Sequence, residues 1–144
     1  MHSLCLLETE IRRYDEDNGV ADSLHTTGWV DDSMSYVELF DVACLLSHWE
    51  EFGLVLPGYM IAEMPIVASL VDGIPNIIRN EEKGLLVEAD HEAEASKVMI
   101  WLYRNSKFKQ NLVLRGGGIR EIHSRFDVQR VETEHEKLFE ELVR

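Results

Sequence analysis

The residues best suited to chemistry lie together in the segment from Ser47 to Met60, which contains His48, Glu50 and Glu51. The segment directly follows an apolar run, residues 41–46, typical of a strand that is covered on both faces. It then enters a helix predicted over residues 53–63. A helix amino terminus presents backbone N–H groups and the positive end of the helix dipole, so this loop is a candidate anion site. The same pattern also fits an ordinary strand-to-helix turn without a ligand.

Strands and helices alternate around this segment. Besides residues 41–46, short apolar runs predict strands at 24–27, 65–69 and 84–87. Helical spacing of apolar residues predicts helices over 4–14, 33–40, 95–102, 107–115 and 128–142, with a break at Gly116-Gly117-Gly118. Alternating strands and helices indicate a parallel sheet. The predicted fold is one α/β domain over residues 1–144, a Rossmann-like parallel sheet of about four strands flanked by helices, with a helical carboxyl-terminal tail.

The charge balance excludes several classes of partner. Fourteen Lys and Arg against 27 Asp and Glu give a net charge of −13. A nucleic-acid binder or a protein of anionic membrane surfaces needs a basic face, so neither is expected. No apolar run approaches the ~18 residues of a membrane span. Cys5 and Cys44 sit among apolar residues, as buried free thiols do. We therefore expect a cytoplasmic protein without a signal peptide.

The sequence contains no metal signature. Six His are scattered along the chain without the spacing of a metal-binding motif. No metal or other cofactor is expected.

The segment from Ser47 to Met60 is similar to the donor-site motif of the family 4 (group 1) retaining glycosyltransferases, S-x-x-E-G-F-G-L followed by E-A-M-A. Further matches follow in order along the chain. These matches are Gly28-Trp29-Val30, residues 65–69, Gly73-Ile74-Pro75, residues 84–87 and Arg125-Phe126. In the same order, they resemble the family's G-W-V, P-V-V-A-S, G-I-P-E-I, G-L-L-V and F-S-W stretches.

The resemblance implies a partial nucleotide-sugar-binding domain, the carboxyl-terminal one of the two-domain GT-B fold. Such enzymes transfer a sugar from a nucleoside diphosphate sugar with retention, usually without a metal. Glu50 matches the catalytic-site Glu that contacts a hydroxyl of the donor sugar, where a carboxylate would stabilise a positively charged transition state. The donor-binding positions map onto Gly28, Phe52, Gly53, Leu54, Val55 and Gly58. The side chains of Leu54 and Val55 are expected to serve the core.

The sequence departs from the family pattern around the expected diphosphate. Gly58 replaces the family's second Glu, which holds the ribose, and Glu51 replaces a small Gly. Residues 14–78 contain no Arg or Lys, so nothing there replaces the basic residues that grip the diphosphate in the family. The isolated chain is therefore expected to be inactive. The alternatives are a degenerate, non-catalytic interaction module and a truncated fragment.

The family's sheet order, 3-2-1-4-5-6, has a consequence for assembly. The strands that this chain lacks are the first and second, at the centre of that sheet. We expect either that strand 24–27 pairs directly beside strand 42–46, or that a complementing chain or a second copy completes the sheet at its exposed edge.

Overall fold

The computed structural model describes residues 2–115 and 118–143. The chain forms two compact units, residues 1–32 and 33–144. In the first unit, helix α1 (His2–Asp17) is followed by a short 3-10 helix, Ala21–Ser23. The chain reverses between them at Gly19, whose φ of +66° is accessible to glycine at little cost. The Val20 N–H closes this turn by donating to the Asp15 carbonyl at 2.9 Å.

The second unit contains a small parallel sheet and seven helices within its described residues. In chain order these elements are α2 (Met34–Val37), β1 (Ala43–Leu45), α3 (Val55–Ile61), β2 (Ile66–Ser69), α4 (Ile74–Ile77), β3 (Leu85–Val87), α5 (Glu92–Arg104), α6 (Ser106–Arg115), α7 (Gly118–Phe126) and α8 (Val128–Leu142).

The sheet has the strand order β1-β2-β3, and both pairings are parallel. Ala43 lies opposite Ile66, and Ser69 lies opposite Val87. All four residues of β2 are buried, as expected for the central strand of a sheet covered on both faces. The carboxyl ends of the three strands therefore open onto one edge of the sheet.

Alternate residues of β2 face two separate layers of helices. Ile66 and Ala68 pack in a cluster with α3 and α4, while Val67 packs in a cluster with α5 and α6. In the second cluster Leu102 of α5 and Leu112 of α6 are almost completely buried. The alternation follows from the two-residue period of a strand, and it makes β2 the element that joins both halves of the core.

The expected parallel α/β fold with a helical tail is confirmed, but the sheet has three strands instead of about four. Leu24 has an extended backbone, yet no strand forms over residues 24–27 in the described chain, so the strand predicted there is wrong. Its pairing beside β1 is also wrong, because β1 pairs with β2 alone in the described chain. Leu24 is exposed, and strand propensity without a neighbouring strand does not produce a ladder.

The prediction of two buried thiols is wrong for Cys44, which is exposed on β1. Its strand is an edge strand, with a neighbouring strand on one side only in the described chain. The side chain of Cys5 and the Gly116-Gly117 part of the predicted break lie outside the described residues.

Candidate functional site

The loop after β1 lies at the carboxyl edge of the sheet, as the sequence predicts. Residues 46–54 lead from β1 to α3, and the turn of residues 70–73 leads from β2 to α4. Because β1 and β2 are parallel neighbours, both connections start at the same edge. Open α/β sheets bind their ligands at this edge.

Two hydrogen bonds of the Glu50 backbone join the loop to the turn. The Glu50 N–H donates to the Asp72 carboxylate at 3.2 Å, and the Gly73 N–H donates to the Glu50 carbonyl at 3.1 Å. The Glu50 carboxylate takes part in neither bond, and the residue is half-buried. The loop is therefore held through its backbone while its acidic side chain stays available to a ligand.

Gly73 is required by the close approach of the two segments. A Cβ atom at this position would lie 1.8 Å from the Glu51 carbonyl oxygen, far inside any non-bonded contact. Only glycine leaves room for the loop to fold back onto the turn. Asp72 beside it has a φ of +37°, an uncommon value for a residue other than glycine, so the turn is tightly constrained.

Phe52 packs against helix α7. Its ring meets the Phe126 ring edge-on, with centroids 5.5 Å apart and planes at 86°, one of the preferred arrangements of aromatic pairs. The next residue, Gly53, has a φ of +72°, and its carbonyl accepts a hydrogen bond from the Leu56 N–H at 2.9 Å. This sharp turn starts α3 directly after the loop.

A partly buried ionic cluster joins α7 to α4 and to the turn before β3. The Lys83 side chain is only 6% exposed and its ammonium donates to the Glu121 carboxylate. Arg125, one turn further along α7, lies 3.4 Å from the same carboxylate and donates to the Asn76 carbonyl. The hydrogen bond from Lys83 is the main reason why the pKa of Glu121 is lowered, and Arg125 adds to the effect. The cluster therefore supports the helix that carries Phe126.

The structure brings together five of the six predicted donor-binding residues, together with Glu50. Phe52, Gly53, Leu54 and Val55 follow one another, and Gly58 lies one helical turn later in α3. At Gly58 a Cβ would stand 3.5 Å from the Met34 sulfur of α2. The sixth residue, Gly28, belongs to the first unit.

The expectation that Leu54 and Val55 serve the core is wrong. Leu54 is 83% exposed and Val55 is 39% exposed. Helix α3 begins only at Val55 and buries Leu56 and Met60 instead, which are four residues apart and lie on one face. Leu54 and Val55 come before this buried face in the sequence, and their side chains lie on the exposed side of the loop.

A small cavity lies beside the loop, at the carboxyl ends of all three strands. The residues around it include Ser47, Ser69 and Val87, and its volume is about 120 Å³. At its rim the His48 Nδ1 atom lies 2.5 Å from an Asp90 carboxylate oxygen. The volume is well below the roughly 300–1,000 Å³ of ligand pockets. This cavity alone does not enclose a nucleotide sugar.

Two features of the described residues concern metals and membranes. Residues 2–115 and 118–143 contain no group of three His, Cys, Asp or Glu arranged to hold a metal ion. None of the helices in this part of the chain combines the length and apolarity needed to cross a bilayer.

Sequence reasoning missed the residues that support the loop. From the sequence, Gly73 is identified only as part of a Gly-Ile-Pro stretch, and the hydrogen bonds that Asp72 and Gly73 make with Glu50 are not predicted. The buried Lys83–Glu121 pair was missed because its members are 38 positions apart and no local pattern connects them. The available signal was weak: Lys83 is charged but immediately precedes the apolar run of β3.

Comparison with known proteins places this fold and loop in one family. A model of the family described as glycosyl transferases group 1 matches residues 6–105, more than half of the chain. The match covers the loop, the turn after β2 and all three strands.

Two curated relatives support the match. The N-acetyl-alpha-D-glucosaminyl L-malate synthase of Bacillus anthracis is 25% identical over 126 residues, which are 87% of this chain and 32% of that enzyme. The phosphatidyl-myo-inositol mannosyltransferase of Mycobacterium leprae is 32% identical over 101 residues, 68% of this chain and 27% of that enzyme. The chain thus spans about a third of the length of these relatives.

Solved structures share the fold at lower identity. Anabaena Alr3699/HepE in complex with UDP-glucose superposes with a TM-score of 0.82 at 17% identity, over 92% of this chain and 36% of that one. The carboxyl-terminal domain of a glycosyl transferase group 1 family protein (LpcC) from Francisella tularensis gives a TM-score of 0.71 at 21% identity, over 85% of this chain and 63% of that domain.

Proposed function

The chain belongs to the group 1 glycosyltransferases, as part of their carboxyl-terminal domain, and we propose that it binds the nucleoside diphosphate sugar donor of such an enzyme. In this proposal the sugar is transferred with retention, and transfer requires the parts of the enzyme that this chain does not contain. Donor binding uses no metal.

The loop held at Glu50 is the observation that carries this proposal. Two hydrogen bonds to the turn after β2 fix the Glu50 backbone, at the edge where α/β sheets bind ligands. The half-buried carboxylate is then free to accept hydrogen bonds from a sugar hydroxyl and to stabilise positive charge that develops on the sugar. The following backbone, through Phe52 and Gly53, is proposed to meet the diphosphate.

Charge limits what this site can do alone. Glu51, the residue after Glu50, is exposed. In the sequence, the first Lys or Arg after Arg13 is Arg79. In this proposal a diphosphate meets backbone N–H groups beside two carboxylates, with no Lys or Arg in the loop itself. Two like charges ~5 Å apart repel by roughly 3 kcal/mol at an effective dielectric near 20, before solvent screening reduces the figure. We therefore propose that the chain binds the donor by itself and that a complementing chain strengthens the binding by supplying cations.

The open side of β1 is the proposed place for that chain. Beyond β1 the described sheet has no further strand, so this edge offers unpaired backbone groups. Helix α5 contacts β2 and β3, where Val67 and Val87 are buried, whereas Cys44 on β1 is exposed. A strand added here would pair with the free edge of β1, and a helix packed over Cys44 would cover that side chain.

Thermal melts of the purified chain with UDP-glucose, UDP, GDP and ADP test donor binding. A ligand present at 100 times its dissociation constant adds about 2.7 kcal/mol of stability, which raises the melting temperature by several degrees. We expect one nucleotide to raise it, equally with and without EDTA. A cooperative melt that no nucleotide moves would contradict the proposal.

Two neighbouring variants separate the sugar from the diphosphate. Glu50→Ala should remove the extra stabilisation that UDP-glucose gives over UDP, because Glu50 is proposed to bind the sugar. Glu51→Ala should strengthen the binding of both, because it removes a negative charge near the diphosphate. Glu140→Ala, on the exposed helix α8, serves as the control without effect. If Glu50→Ala leaves the difference between the two ligands unchanged, Glu50 has no role in binding the sugar.

A non-catalytic interaction module is the second candidate, favoured by the uncovered edge and face of β1. It predicts a cooperative melt that no nucleotide shifts. The same set of melts therefore decides between the two functions.

A further inference from the structure

Asp72 has a backbone conformation that its side chain disfavours. Its φ is +37°, in the left-handed region that residues with a side chain seldom adopt. The glycine beside it, Gly73, has an ordinary φ of −76°, so the turn places its unfavourable conformation on the acidic residue instead. Such conformations persist where the surrounding structure requires them, and they occur often at functional sites. The contacts of the Asp72 side chain therefore indicate what this conformation provides.

The Asp72 carboxylate is the acceptor for one end of the Glu50 peptide. Its Oδ2 atom accepts the Glu50 N–H at 3.2 Å, while the Glu50 carbonyl accepts the Gly73 N–H at 3.1 Å. These are the two hydrogen bonds that Glu50 makes within residues 2–115 and 118–143. The Glu50 side chain takes part in neither, so the direction in which it leaves the loop is determined by its backbone, which Asp72 holds from one side.

The contribution of Asp72 is separable from the packing of the loop. Without the carboxylate, the loop would still lie against the turn at Gly73, and the Phe52 ring would still pack on α7. The Gly73 N–H could also still donate to the Glu50 carbonyl. Loss of the side chain should therefore leave the fold intact and loosen only the Glu50 peptide, because a segment held by few hydrogen bonds opens locally.

We propose that Asp72 is a positioning residue for Glu50. Its carboxylate fixes the Glu50 peptide and thereby holds the Glu50 carboxylate in the direction from which it meets the sugar. A group that is held in place before the ligand arrives loses less freedom on binding. The role in binding rests on the proposed function of Glu50, whereas the restraint on the peptide can be measured without any ligand.

Amide hydrogen exchange tests the restraint directly. Asp72→Gly removes the acceptor, so exchange of the Glu50 N–H should become about tenfold faster or more. Asp72→Asn keeps an oxygen acceptor, and asparagine tolerates a positive φ, so this variant should retain the slow exchange. The Ala43 N–H, which donates to the Pro65 carbonyl at 2.9 Å, is the internal reference and should not change.

The ratio of the dissociation constants of UDP and UDP-glucose tests the effect on the sugar. Both Asp72→Gly and Asp72→Asn remove a negative charge, so both should strengthen UDP binding itself, and the ratio cancels this effect. Asp72→Gly should lower the ratio by about threefold or more, because the Glu50 carboxylate is no longer held in place. Asp72→Asn should preserve the ratio.

Two further variants separate positioning from stability and from charge. Asp72→Ala also lacks the acceptor, but alanine is strained at this φ, so it should melt at a lower temperature than Asp72→Gly while lowering the ratio equally. Glu63→Gly is the matched control. Glu63 is exposed, has a φ of +55° and lies between α3 and β2, at the opposite edge of the sheet. This variant loses the same charge and should change neither measurement.

The outcomes distinguish this proposal from that for the donor site. Unchanged exchange of the Glu50 N–H in Asp72→Gly would overturn the positioning role, as would fast exchange in Asp72→Asn. A ratio that Glu50→Ala abolishes but Asp72→Gly preserves would refute the role of Asp72 alone, and so would a ratio that follows the melting temperature. Equal binding of UDP and UDP-glucose by the unmodified chain would remove the sugar role of Glu50, and with it the purpose assigned to Asp72.

Discussion

Glu50 is fixed by its backbone and not by its carboxylate. Its N–H and carbonyl both bond to the turn after β2. Removal of the side chain should therefore leave the loop in place, which is why Glu50→Ala is a clean test of ligand contact. Asp72 and Gly73, in contrast, determine whether the loop forms at all.

Gly73 and Gly58 are expected to respond oppositely to alanine. Gly73→Ala would drive a methyl group into the Glu51 carbonyl and should cost roughly 1–3 kcal/mol, the usual range for overpacking. Gly58→Ala meets only the Met34 sulfur at an ordinary 3.5 Å, and within helix α3 it should add about 0.5–1 kcal/mol. Urea unfolding of both variants measures the difference. Equal stabilities would show that the loop does not pack on the turn as described.

Helix α7 links the loop to the far side of the sheet. Its Phe126 supports Phe52, and its Glu121 pairs with Lys83 in the turn before β3. Arg125 lies over the Phe126 ring at 5.2 Å, so charge and ring packing act on the same helix turn. The position of α7 thus depends on ionic contacts that pH can change.

The lowered pKa of Glu121 predicts acid sensitivity of this helix. The pKa in the folded chain lies below the ordinary value of 4.5, mainly because of the hydrogen bond from Lys83. The resulting stability is fully present above 4.5 and is lost as the pH falls through the folded value. Urea unfolding between about pH 6 and pH 3 should show a smaller acid loss in Glu121→Gln than in the unmodified chain.

Glu134→Gln is the matched control for that experiment. In the unmodified chain Arg130 lowers the pKa of Glu134, but this pair lies on the exposed surface of α8. Exposed pairs contribute little, so this variant should follow the unmodified chain. If Glu121→Gln also follows the unmodified chain, the Lys83–Glu121 pair does not determine how much stability is lost in acid.

Sequence reasoning located the elements that carry their own local signal. An apolar run predicts the strand β2. The Gly-Ile-Pro sequence identifies the turn at Gly73. Residues 24–27 have the composition of a strand as well, but a strand also requires a neighbour, which composition does not report. The exposure of Leu54 and Cys44 likewise depends on where a helix starts and where a sheet ends.

The whole molecule combines a net charge of −13 with an uncovered sheet edge at β1. Mutual repulsion of such acidic chains opposes pairing of two edges at neutral pH. Edge strands otherwise promote association, so charge and edge act against each other. Their balance depends on pH and salt.

We expect the chain to be monomeric at neutral pH and low salt, and to associate as the pH approaches its isoelectric point of 4.8. Sedimentation velocity at the two pH values measures this. Cys44→Lys should prevent the association, because charged side chains on an edge strand block pairing. Thr133→Lys adds the same charge on α8 and is the control. Association that is equally strong in both variants would show that β1 is not the contact.

Because a side chain does not fit at residue 73, the sequence around it can change only in certain ways during evolution. A substitution at residue 73 is tolerated only if the backbone of residues 50–52 moves at the same time, so the two segments are inherited as one unit. Descendants in which residues 46–54 no longer fold onto the turn escape this constraint and can replace the glycine. Among diverging copies of this gene, a replaced Gly73 would therefore indicate that residues 50–52 no longer fold onto the turn.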